Sequence, residues 1–175
     1  MNIKNRIKVV IICTLFAMCC ASMTACSIMD EPSSAPELKY STQYPQSAVE
    51  YNLLINEKIM PFLNVAEGHA TKGKDVISNV YPVDEELISV EDSLNYLNEI
   101  YASCKVIMPP ESEKQRHSDT LMQMQRVINS IEVYSEYLQK AKDESLDKYT
   151  EDISGCVKIM VSECTSLTNM FNLIA

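Results

Sequence analysis

The chain has 175 residues, of which 24 are acidic and 15 are basic, so its formal net charge is −9 at neutral pH. This balance argues against a nucleic-acid-binding protein, because binding to phosphates requires clustered lysine and arginine. The length is sufficient for one domain with a hydrophobic core.

The N-terminal segment has the layout of a secretory signal. Lys4, Arg6 and Lys8 form a basic start, and no charged residue follows from Val9 to Met29. Small residues then accumulate just before Cys26. A basic start, an apolar middle and a small-residue end are together typical of a signal peptide.

The end of this segment, Met23-Thr24-Ala25-Cys26, resembles the lipobox of bacterial lipoproteins, with Met23 in place of the usual leucine. The resemblance implies cleavage before Cys26 and a diacylglyceryl group on its thiol. The protein would then be held on the extracytoplasmic face of the cell membrane, where two acyl chains give a stable anchor.

Two alternatives to the lipid anchor remain at this point. Residues 9–29 form an uncharged stretch of 21 residues, which is long enough for an uncleaved membrane span. Cys26 could also follow an ordinary cleaved signal, which would make the protein a secreted one. Removal of residues 1–25 takes away three basic residues and no acidic ones, so residues 26–175 carry 12 minus 24 charges, or −12.

Residues 26–45 are rich in proline and serine and show no apolar period. Such a segment cannot bury enough surface to order itself, so we expect a flexible tether. Residues 46–175 would form the folded domain. Its first helix is predicted over 46–68, kinked or split at Pro61. Its apolar stripe consists of Val49, Leu53, Met60, Leu63 and Ala66, with Ile55, Ile59 and Phe62 beside them.

The segment 69–86 has no clear pattern and is interpreted as a loop or a short helix, in which Pro82 precedes the second long helix. The second helix carries a stripe made of Val90, Leu94, Leu97, Tyr101, Cys104 and Met108. Pro109-Pro110 ends it, because the residue before a proline is disfavoured in the helical conformation.

The last two predicted helices are joined by a short turn at Asp143-Glu144. The third runs to about Lys142, and its stripe consists of Leu121, Met124, Ile128, Ile131, Tyr134, Leu138 and Ala141. The stripe of the fourth consists of Leu146, Tyr149, Ile153, Cys156, Met160, Cys164, Leu167, Phe171 and Ile174. We therefore predict an all-α fold, an antiparallel up-down bundle of about four helices. A three-helix bundle with an irregular first segment is the alternative.

Beyond the signal, the chain resembles small helical-bundle lipoproteins of Gram-positive bacteria. The shared features are the proline-rich tether, the Pro-Pro break at 109–110 before a long helix with His117 near its start, and two long terminal helices. The group has no agreed activity, so the resemblance implies none.

With Cys26 lipidated, three thiols remain, at Cys104, Cys156 and Cys164. Cys156 and Cys164 are eight residues apart on one helix, about 12 Å, which is too far for a disulfide. Antiparallel packing places Cys104 nearer to Cys164, so a Cys104–Cys164 disulfide is one hypothesis. The alternative, which the apolar stripes favour, is three small buried core residues.

Candidate catalytic and metal-binding patterns are weak. His69 lies in the predicted polar loop and His117 early in the third helix, and both are interpreted as surface residues. Adjacent carboxylates such as Glu85-Glu86 are interpreted as a solvated face, because neighbouring helix residues point about 100° apart. No zinc or calcium spacing occurs, and three glycines in all could hardly form a phosphate loop. We expect no metal and no cofactor.

We therefore expect a non-catalytic lipoprotein with no catalytic residues, which binds an extracellular or envelope protein. An alternative is a thiol- or metal-dependent enzyme that uses Cys104 and His117, the one Cys–His pair that could lie at the same end of the bundle. A second alternative is a structural envelope spacer without a specific ligand. The sequence does not indicate the ligand or the oligomeric state.

Overall fold

The computed structural model describes residues 44–172, and these form a bundle of four long helices. We label them α1 (Ala48–Ile77), α2 (Val83–Lys105), α3 (Lys114–Asp143) and α4 (Leu146–Asn172). One turn of 3₁₀-helix, Glu111–Glu113, precedes α3. The predicted all-α bundle is confirmed. Cys26 and almost all of the predicted tether lie outside the described residues, as does Ile174.

Each helix packs against its neighbours in sequence, and α4 closes the ring against α1. The short connections make successive helices antiparallel. The centre is filled by aliphatic side chains from all four helices, with two tyrosines and one phenylalanine among the largest buried groups. None of the helices in residues 44–172 has the length and apolarity that a bilayer span requires.

The start of α1 is fixed by reciprocal capping. The Ser47 side chain accepts a hydrogen bond from the Glu50 amide at 3.2 Å, and the Glu50 carboxylate accepts one from the Gln46 amide at 2.7 Å. The first contact gives the Glu50 amide, which has no partner within the helix, a hydrogen-bond acceptor. The second ties the residue before the N-cap to the first helical turn. The helix then continues through Pro61 to Ile77. Of the two predicted effects of the proline, the split is wrong, and the kink stays a prediction.

Most of residues 69–86 are helical, so the loop interpretation of this segment is wrong for most of its length. Residues 69–77 extend α1, and the connection to α2 is a tight turn. In that turn Asn79 has a left-handed φ of 57°, which asparagine tolerates better than most residues. Pro82 precedes the first residue of α2, as predicted.

The apolar stripe of α1 differs from the predicted one. Val49, Leu53 and Met60 are 69%, 59% and 57% exposed, whereas Tyr51, Ile55, Ile59, Phe62, Leu63, Ala66, Ala70 and Val76 are buried. The helix carries apolar residues on two faces, and only one face can lie against the other three helices. The stripes of the later helices are confirmed, except that Met108 is exposed in the connection after α2.

Gly73 allows α1 to approach α3 and α4 closely. A β-carbon added there would lie 2.5 Å from Cγ2 of Val157 and 3.0 Å from the hydroxyl oxygen of Tyr134. Gly155 on α4 has no atom within 4 Å of the same added carbon. The two glycines therefore differ in role, since only the first is required by packing.

Substituting each glycine by alanine separates these roles. Gly73→Ala should lower the free energy of unfolding by about 1–3 kcal/mol, because the methyl group overpacks the core. Gly155→Ala should raise it by up to about 1 kcal/mol through helix propensity. Urea denaturation of both variants measures the difference, and equal effects would contradict this account of the packing.

Candidate functional site

The densest group of chemically active side chains in residues 44–172 is buried between three helices. We call it the Glu86 cluster: His69 and Lys72 of α1, Glu86 of α2 and Tyr134 of α3. The side chain of Glu86 is fully buried, that of His69 almost so, and that of Lys72 is 40% exposed.

The Glu86 carboxylate is the centre of this cluster. Its Oε1 lies 2.8 Å from Nδ1 of His69 and receives a longer contact, 3.5 Å, from the Tyr134 hydroxyl. Its Oε2 has no hydrogen-bond partner, and Nζ of Lys72 lies 3.7 Å away. Lys72 itself donates to the Ser89 hydroxyl at 2.9 Å. One carboxylate thus connects α1, α2 and α3.

Two features offset the cost of burying this charge. Glu86 lies in the first turn of α2, where the unpaired amides and the helix dipole favour a negative group. The Lys72 ammonium supplies an opposite charge. Burial and the neighbouring Glu86 together raise the pKa of Tyr134, so its hydroxyl stays protonated and can donate to the carboxylate.

This geometry suits a structural role better than a chemical one. The imidazole is engaged by Oε1 of the carboxylate, and the nearest hydroxyl, that of Tyr134, is less acidic than an ordinary tyrosine. The surface groove between α3 and α4 and the one between α2 and α3 are lined by other side chains, so neither of these two opens onto the His69–Glu86 contact. The Glu86 cluster can fix the relative position of three helices.

A second polar group lies at the opposite end of the bundle. The Tyr51 hydroxyl is 3.2 Å from Nδ1 of His117, and the two rings meet edge to face. Arg116 lies over the Tyr51 ring, pairs with Glu113 at 2.6 Å and donates to Asn52. Burial lowers the pKa of His117 and raises that of Tyr51 to about 12. Both side chains are therefore neutral near pH 7.

The three described cysteines are buried and free, so the hypothesised Cys104–Cys164 disulfide is not formed in this structure. The charge of Lys58 on α1 acts on the Cys104 thiol. The charge of Glu67, nine residues further along the same helix, acts on the Cys164 thiol. Nine residues of helix span about 13 Å, so the two thiols lie at different levels. Burial raises the pKa of Cys104 to about 11 and that of Cys164 to about 12, and it also raises the pKa of Cys156.

The structure places Cys104 and His117 at the same end of the bundle, as the sequence indicated. The partner of the His117 ring nitrogen is, however, the hydroxyl of Tyr51. A nucleophilic cysteine needs a lowered pKa or an adjacent base, and the pKa of Cys104 is raised. The contacts thus give the thiol enzyme no positive support.

Residues 44–172 contain no group of three or more His, Cys, Asp or Glu side chains arranged to hold a metal ion. No protein-family model, curated protein or solved structure matches the chain. The account of its function therefore rests on the sequence and on the contacts described above.

The sequence interpretation missed the Glu86 cluster. It placed His69 and His117 at the surface and Glu86 on a solvated face, but all three are buried. Periodicity carried a signal for them: His69 continues the buried series Ile59, Phe62 and Ala66 of α1, and Glu86 precedes Val90 and Leu97 at helical spacing. A polar residue at the same helical spacing as a row of apolar residues indicates a buried polar side chain.

Breaking the His69–Glu86 contact should destabilise the bundle. Glu86→Ala and His69→Ala should each lower the free energy of unfolding by about 3–5 kcal/mol, because each leaves a buried polar partner unsatisfied. The double change to leucine should recover much of that loss, since Lys72 can turn to solvent. Urea denaturation measures all three. The exposed neighbour Glu85→Ala is the control, expected within about 0.5 kcal/mol of the wild type, and an equally small effect at Glu86 would refute the role of the cluster.

His117 should make stability depend on pH. Because its pKa is lowered in the fold from the ordinary 6.5, the unfolded chain binds a proton that the folded one resists. The free energy of unfolding should therefore fall as the pH drops below about 6.5. His117→Gln should show a shallower slope of stability against pH between 7 and 5 in thermal denaturation. His69 is present in both proteins, so identical slopes would exclude His117 as the cause.

Proposed function

We propose that the protein is a lipid-anchored binding module of the extracytoplasmic membrane surface, without catalytic activity, that binds another protein of the cell envelope. The anchor is Cys26, which follows the basic and apolar signal segment. The observation that supports binding is the exposed apolar face of α1, formed by Val49, Leu53 and Met60, which we call the α1 stripe.

The α1 stripe has the properties of a contact surface. Its members are four and then seven residues apart, so they share one face of the helix. Each side chain is more than half exposed, and apolar groups exposed together mark interaction sites more often than scattered ones do. The stripe also lies on the first helix of the domain, which follows Cys26 in the sequence after the proline-rich segment.

The charges beside the stripe indicate the kind of partner. The exposed carboxylates of Glu57 and Glu67 lie on α1 close to the stripe residues in helical projection. A complementary surface would combine apolar side chains with lysine or arginine, since electrostatic complementarity guides recognition. We therefore propose a partner segment that is apolar and basic.

The lipid anchor is tested on the protein purified from its native membrane. An intact mass equal to residues 26–175 plus lipid supports the anchor, whereas retention of residues 1–25 or a cleaved mass without lipid contradicts it. Alkylation with and without reduction should find Cys104, Cys156 and Cys164 unpaired once the protein is unfolded.

The binding face is tested by a photo-crosslinking residue placed at Leu53 or Met60. Both positions should capture the same envelope protein, and Gln139, an exposed position on α3, is the matched control. Excess unlabelled protein should compete, and the Leu53→Asp variant should compete at least tenfold less well, since it places a charge in the apolar contact. Capture that is the same at all three positions would contradict the proposal, and a spacer without a ligand would capture nothing.

A further inference from the structure

A shallow groove of about 350 Å³ runs between α3 and α4, and none of its lining residues belongs to either polar cluster. Its lining is Arg126, Asn129, Ser130 and Val133 from α3, and Cys156, Ile159 and Glu163 from α4. The floor is formed by the buried Ser130 and Cys156, whereas Val133 and Ile159 are 44% and 53% exposed. Exposed apolar side chains beside a groove indicate a surface that a partner could cover.

The groove differs from the rest of the chain in its charge. Residues 26–175 carry a formal −12, but the groove contains one cation, Arg126, and one carboxylate, Glu163. Glu163 is held in place because the Gln123 amide donates to its side chain at 2.6 Å and to its carbonyl at 3.0 Å. Arg126 enters none of the ion pairs found in residues 44–172. The groove lining is therefore electrically balanced, whereas the chain as a whole is acidic.

We propose that the α3–α4 groove binds the same groove of a second copy of this chain and forms a twofold-symmetric dimer. In a twofold interface the same patch is used twice, so a contact from Arg126 to Glu163 of the second copy is repeated in the opposite direction. Ile159 of each copy, one turn before Glu163 on α4, would pack beside these ion pairs. A surface with one cation and one anion is complementary to itself in this arrangement.

The structure also offers space for a close approach. An added β-carbon at Gly155, one residue before Cys156 on α4, has no atom within 4 Å. Ser162 and Ser166, seven and eleven residues after Gly155, are exposed and lie on the same side of α4. Small side chains along one helix face allow another helix to pack at short distance.

The dimer should be weak and dependent on concentration. Stable interfaces bury about 1,200 Å² or more and involve about 20–30 residues on each side, whereas the groove is lined by seven, so flanking residues must contribute as well. All groove residues belong to α3 and α4, so the α1 stripe is not part of the interface. The dimer can therefore exist whether or not the proposed envelope partner does.

Charge reversal tests the dimer on full-length protein in detergent, with sedimentation equilibrium over a wide concentration range. The wild type should dimerise. Arg126→Glu and Glu163→Arg should each raise the dimer Kd about tenfold or more, because each places like charges opposite one another. The double variant should dimerise like the wild type. An equimolar mixture of the two single variants, carrying different tags, should form a heterodimer that co-purifies on either tag.

The matched controls are Lys158→Glu and Glu132→Arg, which make the same charge changes at exposed positions that do not line the groove. Both should dimerise like the wild type, and circular dichroism verifies that every variant is folded. The proposal is overturned if the wild type is monomeric throughout, if either groove variant dimerises normally, or if neither the double variant nor the mixture restores the dimer. None of these results depends on whether Cys26 carries lipid, which the intact mass decides separately.

Discussion

The burial of the Glu86 carboxylate is the constraint on which the arrangement of α1, α2 and α3 depends. A carboxylate without solvent must be surrounded by donors and positive charge, and here these come from His69, Lys72 and Tyr134. The Tyr134 hydroxyl can occupy its position because Gly73 has no side chain. Glycine is therefore required at position 73 of α1 because Tyr134 must reach Glu86 of α2.

The bundle places its polar chemistry at two levels and fills the space between them with aliphatic side chains. The Glu86 cluster lies near the turn between α1 and α2, and the Tyr51–His117 contact lies near the other end. Apolar packing is tolerant of small shifts along a helix, whereas hydrogen bonds require particular distances and angles. Two polar levels can therefore define the register of the helices in a way that the apolar middle could not.

The fold was largely predictable from the sequence, and the candidate site was not. The apolar periods of α2, α3 and α4 were regular enough to predict the helices and most of their buried residues. On α1 the period was ambiguous, because Val49, Leu53 and Met60 form a second apolar face. The apolar period of one sequence predicts that a helix forms. Where two faces are apolar, it does not predict which of them is buried, because that depends on how the other three helices pack.

The polar residues of the core were missed for a related reason. Glutamate and histidine are usually exposed, and they are buried only when partners are present. The partners of Glu86 are 17 and 48 residues away in sequence, so the local period could show that Glu86 and His69 face the core but not that they pair. The groove between α3 and α4 is also a property of two helices and has no signature in either one.

The burial of Cys104, Cys156 and Cys164 has a consequence for the lifetime of the protein under oxidising conditions. While the bundle is closed, their thiols stay protonated and inaccessible, and oxidants meet no thiolate. An opening of α2 or α4 exposes them, and oxidation of an exposed thiol prevents the helix from packing back. Each brief opening can then become permanent damage. How long the protein lasts in an oxidising environment is therefore set by how often these two helices separate.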